Sequence, residues 1–334
     1  MGILIKKAVL HILDPNVGVP VLSHQELELS DEVYFFLEKV IDRFFEDENA
    51  KEAEFTGEVT RLPELCQELT RGLDFVAGSV EVANLFFAIM QANPDIVPAD
   101  LICALFSKDD EPYFGMFKFN YRTGYIHNVN SDTETCVNTL IKQKTVLPSE
   151  TQRLEEAAVV HLVNLSIRMV EKEYEINGAK DCYLSKLILG CSGRLSNNQK
   201  ARVIEKVTQK ISKKYYDDNF EQIARMRKAV AMNVEEDNCI EMDHVVREIF
   251  RDDPPAQREY LEEIKKAGIE ETKIQLPEKI IAKKFANQKI CTDTGVEINF
   301  PSDYFNNKEK LEFINNSDGT ISIIIKNVSK ISNK

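Results

Sequence analysis

Four cations recur at every fourth residue: Arg202, Lys206, Lys210 and Lys214, with Lys200 and Lys213 beside them. On a helix that spacing gathers them into an i,i+4 row on one flank. The chemistry open to such a row is neutralisation of successive phosphates on a nucleic-acid backbone. Arg225, Arg227 and Lys228 add to it one segment later, and Lys283 and Lys284 stand just before the C-terminal strands. The bland alternative is an ordinary solvated helix face, and Glu205, Asp217, Asp218 and Glu221 dilute the field. No three- or four-residue turn with the required flanks marks a helix–turn–helix.

No other set of residues reads as a reaction centre. The seven cysteines, at 66, 103, 136, 182, 191, 239 and 291, form no CxxC pair. An odd number of scattered thiols fits small buried hydrophobes in a reducing compartment. His11 and His161 lie on apolar segments with no acid or thiol at metal spacing, and His127 stands alone. His244 and Glu248 share a helix face as an exposed ion pair would, and the HExxH arrangement is missing. Neither GxGxxG nor GxxxxGK[ST] occurs. No catalytic residues, no metal ligands and no cofactor are expected, so an enzyme is the weakest of the function classes.

A chain of 334 residues can hold two or three domains with a sizeable core. Its 43% hydrophobic and 29% charged residues describe a globular protein rather than a disordered one. The formal net charge of −13 repels a phosphate backbone. Any DNA contact must therefore be local, or be made through a partner. No stretch reaches the roughly 18–20 uninterrupted apolar residues of a membrane span. The start, MGILIKKAVLHIL, puts apolar residues ahead of its lysines and has no small-residue cleavage site. Lys6 stands where acylation at Gly2 would require Ser or Thr. A cytoplasmic chain without membrane contact is expected.

The elements that must position the row follow from periodicity and caps. Residues 3–13 read as a strand, and Ser30 caps a helix to Phe45 with Val33, Phe36, Leu37, Val40, Ile41 and Phe44 inward. Glu46-Asp47-Glu48 then reads as an exposed loop. Residues 62–90 are helical with a break near Gly72. Leu101–Phe106 and Tyr113–Tyr121 are strands, Tyr125–His127 begins a third, and Ala157–Val170 is one more. A short helix ends at Gly190, and Ser196 with Gln199 forms a capping box. The helix that follows carries the row, with Val203, Val207, Ile211 and Tyr215 as its core face. Another runs from about 219 to 232 and is closed by Glu235-Glu236-Asp237. Helices over 242–250 and 254–266 come next, the latter with proline first and Gly268 last. Val296–Phe300, Leu311–Phe313 and Ile321–Ile325, with a turn at Asn316–Gly319, predict a β-meander.

Three of these stretches carry a resemblance: Lys284-Phe285-Ala286, Gly295 to Phe300, and Ser317 to Ile323. A fourth is Tyr183-Leu184 to Ile188-Leu189-Gly190-Cys191, followed by Leu195, Gln199 and a long helix. The chain resembles the bacterial 37-kDa nucleoid-associated protein family over nearly its whole length. The resemblance implies association with bacterial chromosomal DNA, in the nucleoid, and no reaction. The expected fold is α+β, with a mixed N-terminal domain over 1–176, a helical segment with a basic face over 177–273, and a β-meander module over 274–334. The expected function is binding of double-stranded DNA through the basic helical surface. The alternative is an acidic adaptor that grips a DNA-processing protein. A homodimer suits either.

Overall fold

Near-continuous apolar runs such as LICALF and FGMF mark strands buried on both faces rather than one, and the first half of the chain is built on them. The computed structural model describes residues 2–56, 60–132, 135–217, 220–232 and 239–332. The chain divides into two units, Met1–Arg194 and Leu195–Lys334.

The first unit opens with β1 (Ile3–Leu13), α1 (Asp31–Phe45), β2 (Lys51–Phe55), α2 (Leu62–Thr70) and α3 (Phe75–Ala92). The strands β3 (Ala99–Lys108), β4 (Glu111–Asn120), β5 (Arg122–Asp132) and β6 (Thr135–Val146) follow. After them come β7 (Glu156–His161), β8 (Ile167–Val170), β9 (Tyr174–Ile176), β10 (Ala179–Asp181) and β11 (Cys191–Gly193). Seven strands form one antiparallel sheet in the order β1-β3-β4-β7-β8-β2-β11. Alternation sends Leu101, Cys103, Phe114 and Met116 to one face, where Leu65, Phe75, Val82, Phe86 and Met90 of α2 and α3 cover them. Ile102, Ala104, Phe106, Phe117 and Phe119 go to the other, against Leu37, Val40, Ile41 and Phe44 of α1. Helix α3 is long and apolar enough to cross a membrane by length and composition. Here its apolar side is core.

Ser30 caps α1 by accepting from Val33 N, and Gly72, at φ +99°, separates α2 from α3. Three expectations are corrected. The single strand over Ala157–Val170 is two, β7 and β8. Asn164 turns the chain between them, its side chain accepting from Ser166 N at 2.9 Å, with Leu165 at φ +58°. Tyr125–His127 does not join the sheet; β5 pairs with β6 alone, in a ribbon of 11- and 12-residue strands. The acidic run after α1 is not an exposed loop, since Asp47 and Glu48 are buried. Asp47 Oδ1 accepts from Asn49 N at 2.9 Å, and Arg153 stands beside it at 3.4 Å.

The second unit holds α4 (Asn197–Tyr215), α5 (Phe220–Met232), β12 (Cys239–Glu241), α6 (Met242–Phe250), α7 (Pro254–Lys266) and β13 (Lys273–Gln275). Next come α8 (Glu278–Lys284), β14 (Asn287–Cys291), β15 (Glu297–Pro301), β16 (Leu311–Asn315) and β17 (Ile321–Ile325). The helices close over one apolar core that includes Ile204, Ile211, Val230, Val246, Tyr260 and Phe285. Phe300, Phe305 and Leu311 form a second, smaller core with Ala224. The α+β class stands, but the C-terminal strands are not one meander. They pair as two separate ladders, β14 with β15 and β16 with β17, divided by Pro301 and the short helical turn Ser302–Tyr304. The acidic stop at Glu235–Asp237, together with Asp218, lies outside the described residues.

Candidate nucleic-acid interface

Helix α4 begins on the capping box expected of it. Ser196 Oγ accepts from Gln199 N at 3.2 Å, and Gln199 Oε1 accepts from Ser196 N at 3.0 Å. Its inward face is Ala201, Ile204, Val207, Thr208 and Ile211, while Tyr215 stays exposed, contrary to expectation. A strict four-residue spacing drifts around a helix by about 40° per step, so a face beginning at Val203 has left the core by Tyr215.

The same drift decides what happens to the cations. Helix α7, capped by Asp253 accepting from Ala256 N at 3.1 Å, carries Glu259 and Glu263 at i,i+4 and packs beside α4. Lys214 Nζ meets Glu259 at 2.6 Å, Lys210 pairs with Glu263, and Lys200 meets Glu271 at 3.2 Å. Tyr215 donates to Glu259 at 2.8 Å. Hydrogen bonds from Lys214 and Lys210 hold the Glu259 and Glu263 carboxyls below the usual carboxylate range, and Glu259 raises Lys214 in return.

The cations beyond α4 are largely engaged by backbone. Arg225 pairs with Glu221 and donates to Ile249 O at 3.3 Å. Arg227 meets Glu205 at 3.2 Å and donates to Lys284 O and Asn287 O at 3.2 and 3.0 Å. Lys228 donates to Phe305 O at 2.7 Å, and Lys284 to Asn198 O at 3.4 Å. Arg202, Lys206, Lys213 and Lys283 are exposed and make no ion pair among the described residues. The first three lie at i, i+4 and i+11, one stripe within about 40° of arc. Ten of the eleven residues thus divide into an acid-matched seam, a set of helix braces and a narrow cationic stripe, and Lys283 stands exposed apart from these groups.

Other features were not legible in the sequence. The β5–β6 ribbon carries Arg122, Lys142 and Lys144, all exposed, beside exposed Tyr125, Ile126, Leu140 and Ile141. Lys118, between Phe117 and Phe119 on β4, is 1% exposed and reaches Glu156 at 2.7 Å and Asn120 Oδ1 at 2.6 Å. Tyr174 donates to the same carboxylate at 2.6 Å. Burial lowers the Lys118 pKa and raises that of Tyr183 nearby. Lys118, Glu156 and Tyr183 in this network are buried.

Several groups capable of covalent chemistry are buried or hydrogen-bonded, while Cys291 is a free, exposed thiol. Burial pushes the Cys66 and Cys191 thiols up to about 12 and Cys103 higher still, away from the reactive thiolate. The side chain of Cys136 lies outside the described residues. His11 is fully buried, its Nε2 3.0 Å from Ser79 Oγ and its Nδ1 accepting from Ser23 N at 3.2 Å. His161, expected to lack an acid, has Glu111 at 3.1 Å because the β4 and β7 strand ends meet there. It lines a depression of about 250 Å³ with Glu52, Tyr113, Ser166 and Arg168, where Arg168 already pairs with Glu52. Among the described residues no group of three or more His, Cys, Asp or Glu is placed to hold a metal.

The family model described as nucleoid-associated protein YejK matches residues 9–332. No curated protein matches the chain.

Proposed function

We propose, from the premise that the chain belongs to the nucleoid-associated protein YejK family, that it reaches the nucleoid by gripping a protein that works on DNA and does so without catalysis. The observation that carries this reading is the acid-matched seam between α4 and α7. A phosphate at Lys210 or Lys214 would have to displace Glu263 or Glu259. Surface ion pairs are weak, so displacement alone is easy. The carboxylates set free would then lie beside the phosphate, and the net charge of −13 repels it further. The β5–β6 ribbon suits a protein partner. A two-stranded ribbon is marginal in water by itself, and this one leaves Leu140 and Tyr125 76% and 66% exposed.

A second reading has its own observation. Arg202, Lys206 and Lys213 make no ion pair among the described residues and share one stripe. It is about 16 Å long at roughly 1.5 Å per residue, and duplex DNA fits such a stripe directly. Three contacts fall short of the roughly 6–10 phosphates behind strong salt-dependent binding, so this contact is weak.

Sedimentation of isolated nucleoids separates the two. The adaptor reading expects Leu140→Asp with Ile141→Asp to release the protein from the nucleoid fraction, while Arg202→Glu, Lys206→Glu and Lys213→Glu together leave it there. Release by the helix substitutions and retention of the ribbon variant would contradict it.

A further inference from the structure

The edge of β17 is unpartnered among the described residues, and nothing in its sequence protects it. At the two ends of the β16–β17 ladder, Asn316 N donates to Thr320 O at 2.8 Å and Lys326 N donates to Lys310 O at 2.9 Å. Hydrogen-bonded pairs alternate along an antiparallel ladder. Ser322 and Ile324, in phase with Thr320 and Lys326, therefore direct their N–H and C=O groups at β16. Ile321, Ile323 and Ile325 point theirs the other way, where β17 has no neighbouring strand among the described residues. Edge strands are ordinarily blunted by a charge, a proline or a bulge. Ile-Ser-Ile-Ile-Ile has none of these, and its ladder is regular.

Side-chain packing agrees with the backbone. Ile321, Ile323 and Ile325 share a face with Leu311 and Phe313, the face that packs on Phe300 and Phe305. Ile323 is partly buried there, whereas Ile321 and Ile325 remain 51% and 59% exposed. The small core stops short at this edge, and one more strand would complete it.

We propose that the missing strand is β17 of a second copy of this chain, paired antiparallel about a two-fold axis at Ile323. That register joins the outward N–H and C=O groups of Ile321, Ile323 and Ile325 to those of the second copy's Ile325, Ile323 and Ile321. It makes one continuous four-stranded sheet and lays isoleucine against isoleucine over both small cores. The charges are compatible too. Lys326, already paired with Glu312, falls opposite the second copy's Thr320 and one ladder step from its Asp318, so no like charges face each other. The strand is its own complement, which an unrelated partner strand would not need. Such an interface is isologous and closes at two copies. It is also small, so the dimer dissociates on dilution.

Sedimentation velocity of the full chain over a concentration series tests this, with circular dichroism to verify folding. The wild type should approach twice the 38.2 kDa chain mass as concentration rises. Ile325→Pro removes an outward N–H and no β16 bond, and should stay monomeric with unchanged circular dichroism. Ile325→Lys should also be monomeric. Adding Ile321→Glu to Ile325→Lys should restore the dimer. In the proposed register the new carboxylate of each copy stands opposite the new ammonium of the other, while the two positions are too far apart within one strand to meet. A wild type that stays monomeric throughout, or an Ile325→Lys variant that dimerises like the wild type, would overturn the proposal.

Discussion

His11 shows what a single residue can and cannot reveal. Its isolation on an apolar strand pointed to a structural role, and the structure gives it Ser79 and Ser23 as partners inside the first unit. Burial first, and His24 second, lower its pKa to about 4. The folded state therefore binds a proton less readily than the unfolded chain, whose histidine titrates near 6.5. The stabilisation is fully present above about pH 6.5 and is lost as pH falls through about 4, amounting to about 3 kcal/mol. Urea denaturation of wild type and His11→Gln across that window should show the wild type losing about that much more stability; parallel curves would contradict it. Lys118 could not be foreseen in the same way. A lysine inside an apolar strand signals something unusual, but its partner Glu156 comes from a strand 38 residues later, and only the sheet order brings them together.

At the scale of elements, most helices and strands were legible because their caps and periods are local. Ser30, Ser196 and Asp253 each stand where a helix begins. What was not local was misread. The β7–β8 turn hides in a β-branched run, and the β5–β6 ribbon differs from a sheet strand only in what fails to pair with it. The α4 cations looked like a binding row because their spacing is visible in one helix. Their match to Glu259 and Glu263 becomes visible only once α7 is known to lie antiparallel alongside, although those two glutamates share the i,i+4 spacing of Lys210 and Lys214. The seam predicts a reciprocal pair of substitutions. Lys210→Glu should lower the melting temperature, and adding Glu263→Lys should recover it, with the difference shrinking as salt rises. Equal melting temperatures for the single and double variants at low salt would show that the two helices are not matched there.

Over the whole molecule, charge and lineage pull in different directions. The chain belongs to a nucleoid-associated family, while its excess of 13 negative charges opposes contact with a polyanion. On the proposed reading, the seam spends the most conspicuous cations on the fold and a partner protein is the route to the chromosome. The most direct test is a fluorescence-anisotropy titration of purified protein against duplex DNA from about 200 mM salt down to about 50 mM. The account predicts at most weak binding at the lowest salt, with log K falling by no more than about 3 per decade of salt, as about three phosphates require. Tight binding with a slope of about −6 or steeper, lost on reversing Lys210 and Lys214, would contradict it and return the helical row to the DNA.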